Sequence, residues 1–106
     1  MAFYIKQNDT SPSILATLAD ANNVPVPLTG VTVRIHIRDV AGSLLVDRQI
    51  EIINPLEGIV RFNWQTGDTA TPGTYYAEFE VTYTDDTIET FPNNGKSVIV
   101  IKPELN

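Results

Sequence analysis

The sequence predicts an all-β, antiparallel β-sandwich of seven or eight strands with no disulfide. Apolar-rich segments recur roughly every ten residues, each closed by turn chemistry. The clearest of them alternate strictly between apolar and polar positions, the period of a strand with one buried face. No segment sustains an i, i+3, i+4, i+7 apolar pattern; Leu15 and Leu18 begin one, but turn residues from Asp20 to Asn23 close it at once. The same spacing suits a small barrel, and the sandwich is the favoured closure.

In chain order, residues 3–6 make a short first strand, ended by the polar run Gln7 to Pro12. Residues 13–19 follow, ended at Asp20. In Val24-Pro25-Val26-Pro27 two prolines remove ladder donors, so this stretch is an edge or an extended link and not a central strand. Pro27-Leu28-Thr29-Gly30 then turns the chain into its most regular strand. There Val31, Val33, Ile35 and Ile37 alternate with Thr32, Arg34, His36 and Arg38. Val40-Ala41-Gly42 is a tight turn into extended structure over residues 44–53, and Asn54 to Gly58 turns the chain again.

Over residues 59–64, Val60, Phe62 and Trp64 share one face. Residues 67–73 form a loop ending in Thr71-Pro72-Gly73, whose proline presets φ and whose glycine tolerates positive φ. The longest strand, 74–84, places Tyr75, Ala77, Phe79, Val81 and Tyr83 inward and Tyr76, Glu78, Glu80 and Thr82 outward. Its Pro-Gly-Thr-Tyr-Tyr entry is similar to a tyrosine corner, with Tyr75 or Tyr76 as the phenol that ties the loop back. Asp85-Asp86 is a hairpin loop into residues 87–91, residues 92–95 are a loop, and residues 97–102 are the last strand.

The totals bound the function. A length of 106 residues suits one domain over residues 1–106, large enough to hold an ordinary core. There are no cysteines, and the start has no basic region followed by a long apolar stretch, so synthesis in the cytoplasm without secretion is expected. The longest strongly apolar run, Val98 to Ile101, is far too short for a membrane-spanning helix. Thirteen acids against seven bases, a net charge of −6, argue against nucleic acid as a partner.

Several motifs together resemble a known family. They are Ile5-Lys6-Gln7-Asn8-Asp9-Thr10-Ser11-Pro12, the Leu18-x-Asp20 turn, and Pro27-Leu28-Thr29-Gly30-Val31-Thr32-Val33. Gly67-Asp68-Thr69-x-x-Pro72-Gly73-Thr74-Tyr75 and Thr87-Ile88-Glu89-Thr90-Phe91-Pro92 complete the set. In order and spacing they resemble the immunoglobulin-like N-terminal domains of tailed-phage baseplate upper proteins and related tail or fibre components, from Phe3 to about Lys102. Such proteins continue into coiled-coil or receptor-facing parts, whereas this sequence ends at Asn106. The resemblance implies a structural subunit of the virion, in baseplate, neck, tail or fibre anchor, whose partners are other virion proteins and copies of itself. It implies no cofactor and no small-molecule substrate.

Candidate chemistry is sparse. The one histidine, His36, lies between Arg34 and Arg38 on an outward face and lacks a nucleophile to serve. Glu78 and Glu80 project the same way roughly 7 Å apart, a spacing that overlaps glycosidase carboxylates, but exposed strand glutamates are commonplace. The sharper expectation is a pairing face: Glu78 and Glu80 meet Arg34 and Arg38, within the sheet or on a neighbouring subunit, with His36 beside them. Asp85-Asp86 and Asp20/Asn22/Asn23 offer oxygens for calcium without the pattern of a calcium loop, and turn propensity explains both. Tyr4 and Tyr76 are candidates for an exposed platform, which keeps a carbohydrate- or receptor-binding module as the alternative function. The last strand, apolar on both faces, is expected to be partly buried at a subunit contact.

Overall fold

The computed structural model describes residues 2–93 and 95–105. Asn94, inside the loop expected at residues 92–95, lies outside the described residues, as do Met1 and Asn106. Among the described residues the strands are β1 (Ala2–Lys6), β2 (Ile14–Thr17), β3 (Thr32–Asp39), β4 (Leu44–Gln49), β5 (Glu51–Asn54), β6 (Ile59–Phe62), β7 (Gly73–Thr82), β8 (Ile88–Phe91) and β9 (Ser97–Lys102). A 3₁₀ turn, Pro55–Glu57, sits between β5 and β6.

Two sheets enclose one core. The larger has the order β1-β9-β7-β3-β4, with β8 also on β7; the smaller has the order β2-β6-β5. β7 is long enough to hold two partners along one side, β9 against residues 73–77 and β8 against residues 79–82, while β3 occupies the other side. Val33, Ile35 and Ile37 of β3 are fully buried, as the alternation requires, and Tyr75, Ala77, Phe79 and Val81 of β7 are buried beside them. From the smaller sheet and the residues after it come Val60, Phe62 and Trp64, with Phe62 and Trp64 edge to face at 4.8 Å between centroids.

The expected fold class holds, with two differences in detail. The extended run over residues 44–53 is not one strand: it leaves the larger sheet as β4 and enters the smaller as β5. Ile50 is the pivot, its N–H still donating to Val33 O at 2.8 Å. A strand that changes sheets is how a sandwich turns a corner, and it raises the strand number to nine among the described residues. Secondly, β1 runs parallel to β9, so the sheet is mixed and not wholly antiparallel. The last strand is therefore interior to its sheet, flanked by β1 and β7; Ile99 and Ile101 enter the core while Val98 and Val100 stay half-buried on the outer face.

The proline stretch is used as its chemistry allows. Pro25 and Pro27 lack donors, and the N–H groups of the residues that follow them are both engaged: Val26 donates to Leu18 O and Leu28 to Pro55 O, at 2.9 and 2.8 Å. Leu28 is completely buried. Gly58 closes this corner in the left-handed region at φ 67°, where a β-carbon would lie 2.7 Å from Leu18 O and 2.9 Å from Val26 O.

Two of the loops that carry the family-like motifs, residues 7–12 and 67–72, meet at one end of the sandwich. Thr69 is buried, its hydroxyl donating to Asp9 O at 2.8 Å, while Asn8 N–H donates to Thr69 O at 3.1 Å. The corner phenol is Tyr75, which donates to Thr71 O at 2.8 Å; Tyr76 alternates to the outside.

Two substitutions test these fixings. Tyr75→Phe is expected to lower unfolding free energy by about 1 kcal/mol, the net worth of one part-buried hydrogen bond. Gly58→Ala is expected to cost about 2 kcal/mol or more, because strain at positive φ adds to two backbone clashes. Urea unfolding measures both, and a Gly58→Ala protein as stable as the wild type would disprove the close approach at that corner.

Candidate assembly face

The register of the larger sheet arranges its outward side chains in rows. One row reads Leu44, Arg38, Tyr76, Val98 from β4 to β9. The next reads Asp47, His36, Glu78, and the third Gln49, Arg34, Glu80, Thr90. All five residues expected to form a pairing face thus stand on one surface, with Arg34 directly opposite Glu80 and His36 opposite Glu78.

The side chains do not pair as expected within the chain. Arg34 turns away from β7 to Asp47, its Nη2 at 2.9 Å and its Nε donating at 3.0 Å to the same carboxylate oxygen. His36 Nε2 lies 3.2 Å from that oxygen as well. Arg38 donates from Nη1 to Gly42 O at 3.0 Å, the tip of the β3–β4 hairpin. Among the described residues neither Glu78 nor Glu80 joins an ion pair. The reason is geometric: Asp47 sits opposite His36 and diagonal to Arg34, and its short side chain lets one oxygen serve both. The Arg34 hydrogen bond, aided by the charges of Arg34 and His36, holds the Asp47 carboxyl below the usual carboxylate range.

Asp47 was missed by sequence reasoning, and the turn alone does not reveal it. Counted on from Arg38 opposite Leu44, Val46 would face His36; a register shift between Ile37 and Arg38 brings Asp47 there instead. Lys96 was missed too. It lies two residues before Val98, and its Nζ rests 4.0 Å above the Tyr76 ring. Tyr4 is exposed as expected, with Lys102 Nζ 5.5 Å from its ring centre. Both rings of the candidate tyrosine platform thus already carry a cation on one face.

The acidic turns use their oxygens locally. Asp20 Oδ1 accepts from the N–H groups of Asn22 and Val24, at 2.9 and 3.0 Å. Asp85 Oδ1 accepts from the N–H and hydroxyl of Thr87, which keeps its carboxyl below the ordinary value. Among the described residues no group of three or more His, Cys, Asp or Glu is arranged to hold a metal. An open cleft of about 230 Å³ lies where the chain changes sheets, and its two arginines are engaged, Arg61 with Glu51 and Arg48 with Asp68.

Fold and surface together define a class: a disulfide-free, immunoglobulin-like β-sandwich whose broad sheet presents ordered rows of charge. In sequence the chain matches the BppU N-terminal domain over residues 2–94, and it belongs to that family, the N-terminal domains of baseplate upper proteins. Membership places it among the structural proteins of phage baseplates and tails. No curated protein matches the sequence. In structure it is similar to CopC from Methylosinus trichosporium OB3b, with a TM-score of 0.58 and 17% identity over 99% of this chain and 87% of that one, a likeness of fold.

The Asp47 network gives a pH test. Because the folded-state pKa lies below the unfolded value, its stabilisation is present above that unfolded value near 3.8 and is lost as pH falls through the lowered folded one. Asp47→Asn is therefore expected to lower Tm by a few degrees at neutral pH, with the difference from wild type closing toward acid pH. Melting curves across the acid range measure it, and a pH-independent gap would overturn the assignment.

Proposed function

We propose that this chain is a building block of a tailed-phage particle that works by protein–protein assembly and not by catalysis, with other virion proteins and copies of itself as partners. It is made in the host cytoplasm and taken up into the baseplate region. The observation that carries the reading is the outer face of the larger sheet. Its charged side chains stand at fixed register on a rigid sandwich, and its central glutamates have no ion-pair partner among the described residues. Rows of charge on a sheet specify orientation and reject wrong partners, which suits a part that must enter a particle in one way. In a symmetric particle each contact is repeated, so individually modest contacts hold through multivalency.

Purified phage tails test the proposal. An epitope-tagged chain is expected to sediment with intact tails and to localise to the baseplate end by immunogold microscopy. Its absence from tails would overturn the reading. The isolated domain is expected to leave host-cell adsorption unchanged, and strong competition by it would favour the receptor-binding alternative instead.

A further inference from the structure

We propose that a second copy of this chain docks on the outer face of the larger sheet, about a two-fold axis that lies in that face between β3 and β7 and runs parallel to them. The proposal rests on the reading of the chain as an assembly module and names one of its partners.

The argument is the order of residues within each row. An axis in this position lays every row on its own counterpart turned end for end, so β3 of one copy covers β7 of the other. Arg34 then meets the partner's Glu80, His36 the partner's Glu78, and Arg38 the partner's Tyr76. The first two are favourable contacts of cation or imidazole with carboxylate, and the third brings the guanidinium to a ring whose other face is left open by Lys96. The flanks agree. Leu44 falls opposite the partner's Val98, apolar on apolar. No row sets like charges directly opposite at the β3 and β7 positions. A face with cations along one strand and carboxylates along its neighbour is self-complementary about this axis. An axis across the strands would instead set β3 against β3 and repel.

The face also has room for the contact. Glu78 is exposed and Glu80 half-buried, and neither has an ion pair to give up among the described residues. The Arg34 contacts to Asp47 use Nε and Nη2, which leaves the Nη1 hydrogens for a partner's carboxylate.

Four strands by three rows make a patch of about 20 by 20 Å, roughly 400 Å² on each copy. That is about half of a standard stable interface, so the dimer is weak in solution and forms only at high protein concentration. Sheet twist of about −30° between stacked sheets concentrates the contact on the three central pairs.

Sedimentation velocity on the whole chain, up to about 1 mM and at low salt, tests this; the wild type is expected to dimerise reversibly and to weaken several-fold as salt rises toward about 0.5 M. The variants R34E/R38E and E78K/E80K are each expected to be monomeric, because each sets like charges opposite one another between positions 34 and 80. An equimolar mixture of the two is expected to restore the dimer, since the more acidic face of one then meets the more basic face of the other, with His36 against position 78 of E78K/E80K as the one unfavourable contact. A wild type monomeric throughout, or a mixture no better than either variant alone, would overturn the proposal. Should R34E/R38E lose its fold with the Asp47 pair, E78K/E80K alone decides, since undiminished dimerisation in that variant also overturns it. A monomeric chain still present in purified tails defeats this dimer and leaves the virion reading standing, whereas absence from tails defeats that reading whatever the oligomeric state.

Discussion

The pairing of β3 with β7 is the constraint on which the rest depends. Eight consecutive residue pairs join them, from Thr32 with Thr82 to Asp39 with Tyr75. Along the inner side, Val33, Ile35 and Ile37 face Val81, Phe79 and Ala77, all buried. Because side chains alternate with period two, a slip of one residue would drive Arg34 and His36 into the core, at a cost of several kcal/mol for each desolvated charge. Core packing thereby fixes the outer rows as firmly as the inner ones. The charged face inherits its order from the hydrophobic effect.

The second sheet is attached to this pair at its corners. At one, the chain itself passes from β4 to β5 through Ile50. There Arg48 turns inward: its guanidinium lies 5.2 Å from the Phe62 ring centre and its Nη2 pairs with Asp68. Asp68 also accepts from Gln65 N–H at 2.7 Å, so the loop before β7 is tied to β4 by one carboxylate. A charged residue at an inward strand position is tolerated because ring and carboxylate together replace much of its water. At the other corner Gly58 lets residues 18, 26 and 58 approach at backbone distance, which no side chain would permit.

How much of this was legible in the sequence follows from the kind of signal each feature leaves. Strict alternation in residues 31–38 and 74–83 specified both central strands and which half of each is buried, because period two is a local property. The turns at residues 40–42, 54–58 and 71–73 were equally local. The split of residues 44–53 between two sheets was not, since a strand that changes sheets keeps the same extended backbone and the same apolar content. Neither was the parallel docking of β1 on β9, which joins opposite ends of the chain. For the face, the five residues that share it were readable from alternation alone. The choice of Asp47 over Glu80 as the partner of Arg34 needed the β3–β4 register and the lengths of the competing side chains, which only the folded hairpin supplies.

That choice changes what the face is for. Had Arg34 paired with Glu80 across the strands, the face would be neutralised within one chain and would offer a partner little besides hydrated ion pairs. Asp47 instead holds Arg34 and His36 from the flank and leaves Glu78 and Glu80 of β7 without an ion pair among the described residues. A guanidinium already fixed by one carboxylate loses less conformational freedom when it meets a second, so the pair inside the chain prepares the contact outside it. Ion pairs on an exposed face contribute little to folding, commonly 0–1 kcal/mol each, and this one serves better as an orienting device than as a source of stability. The net charge of −6 disfavours indiscriminate self-association of the chain. Only an orientation that sets β3 against β7 turns the same charges from repulsion to attraction.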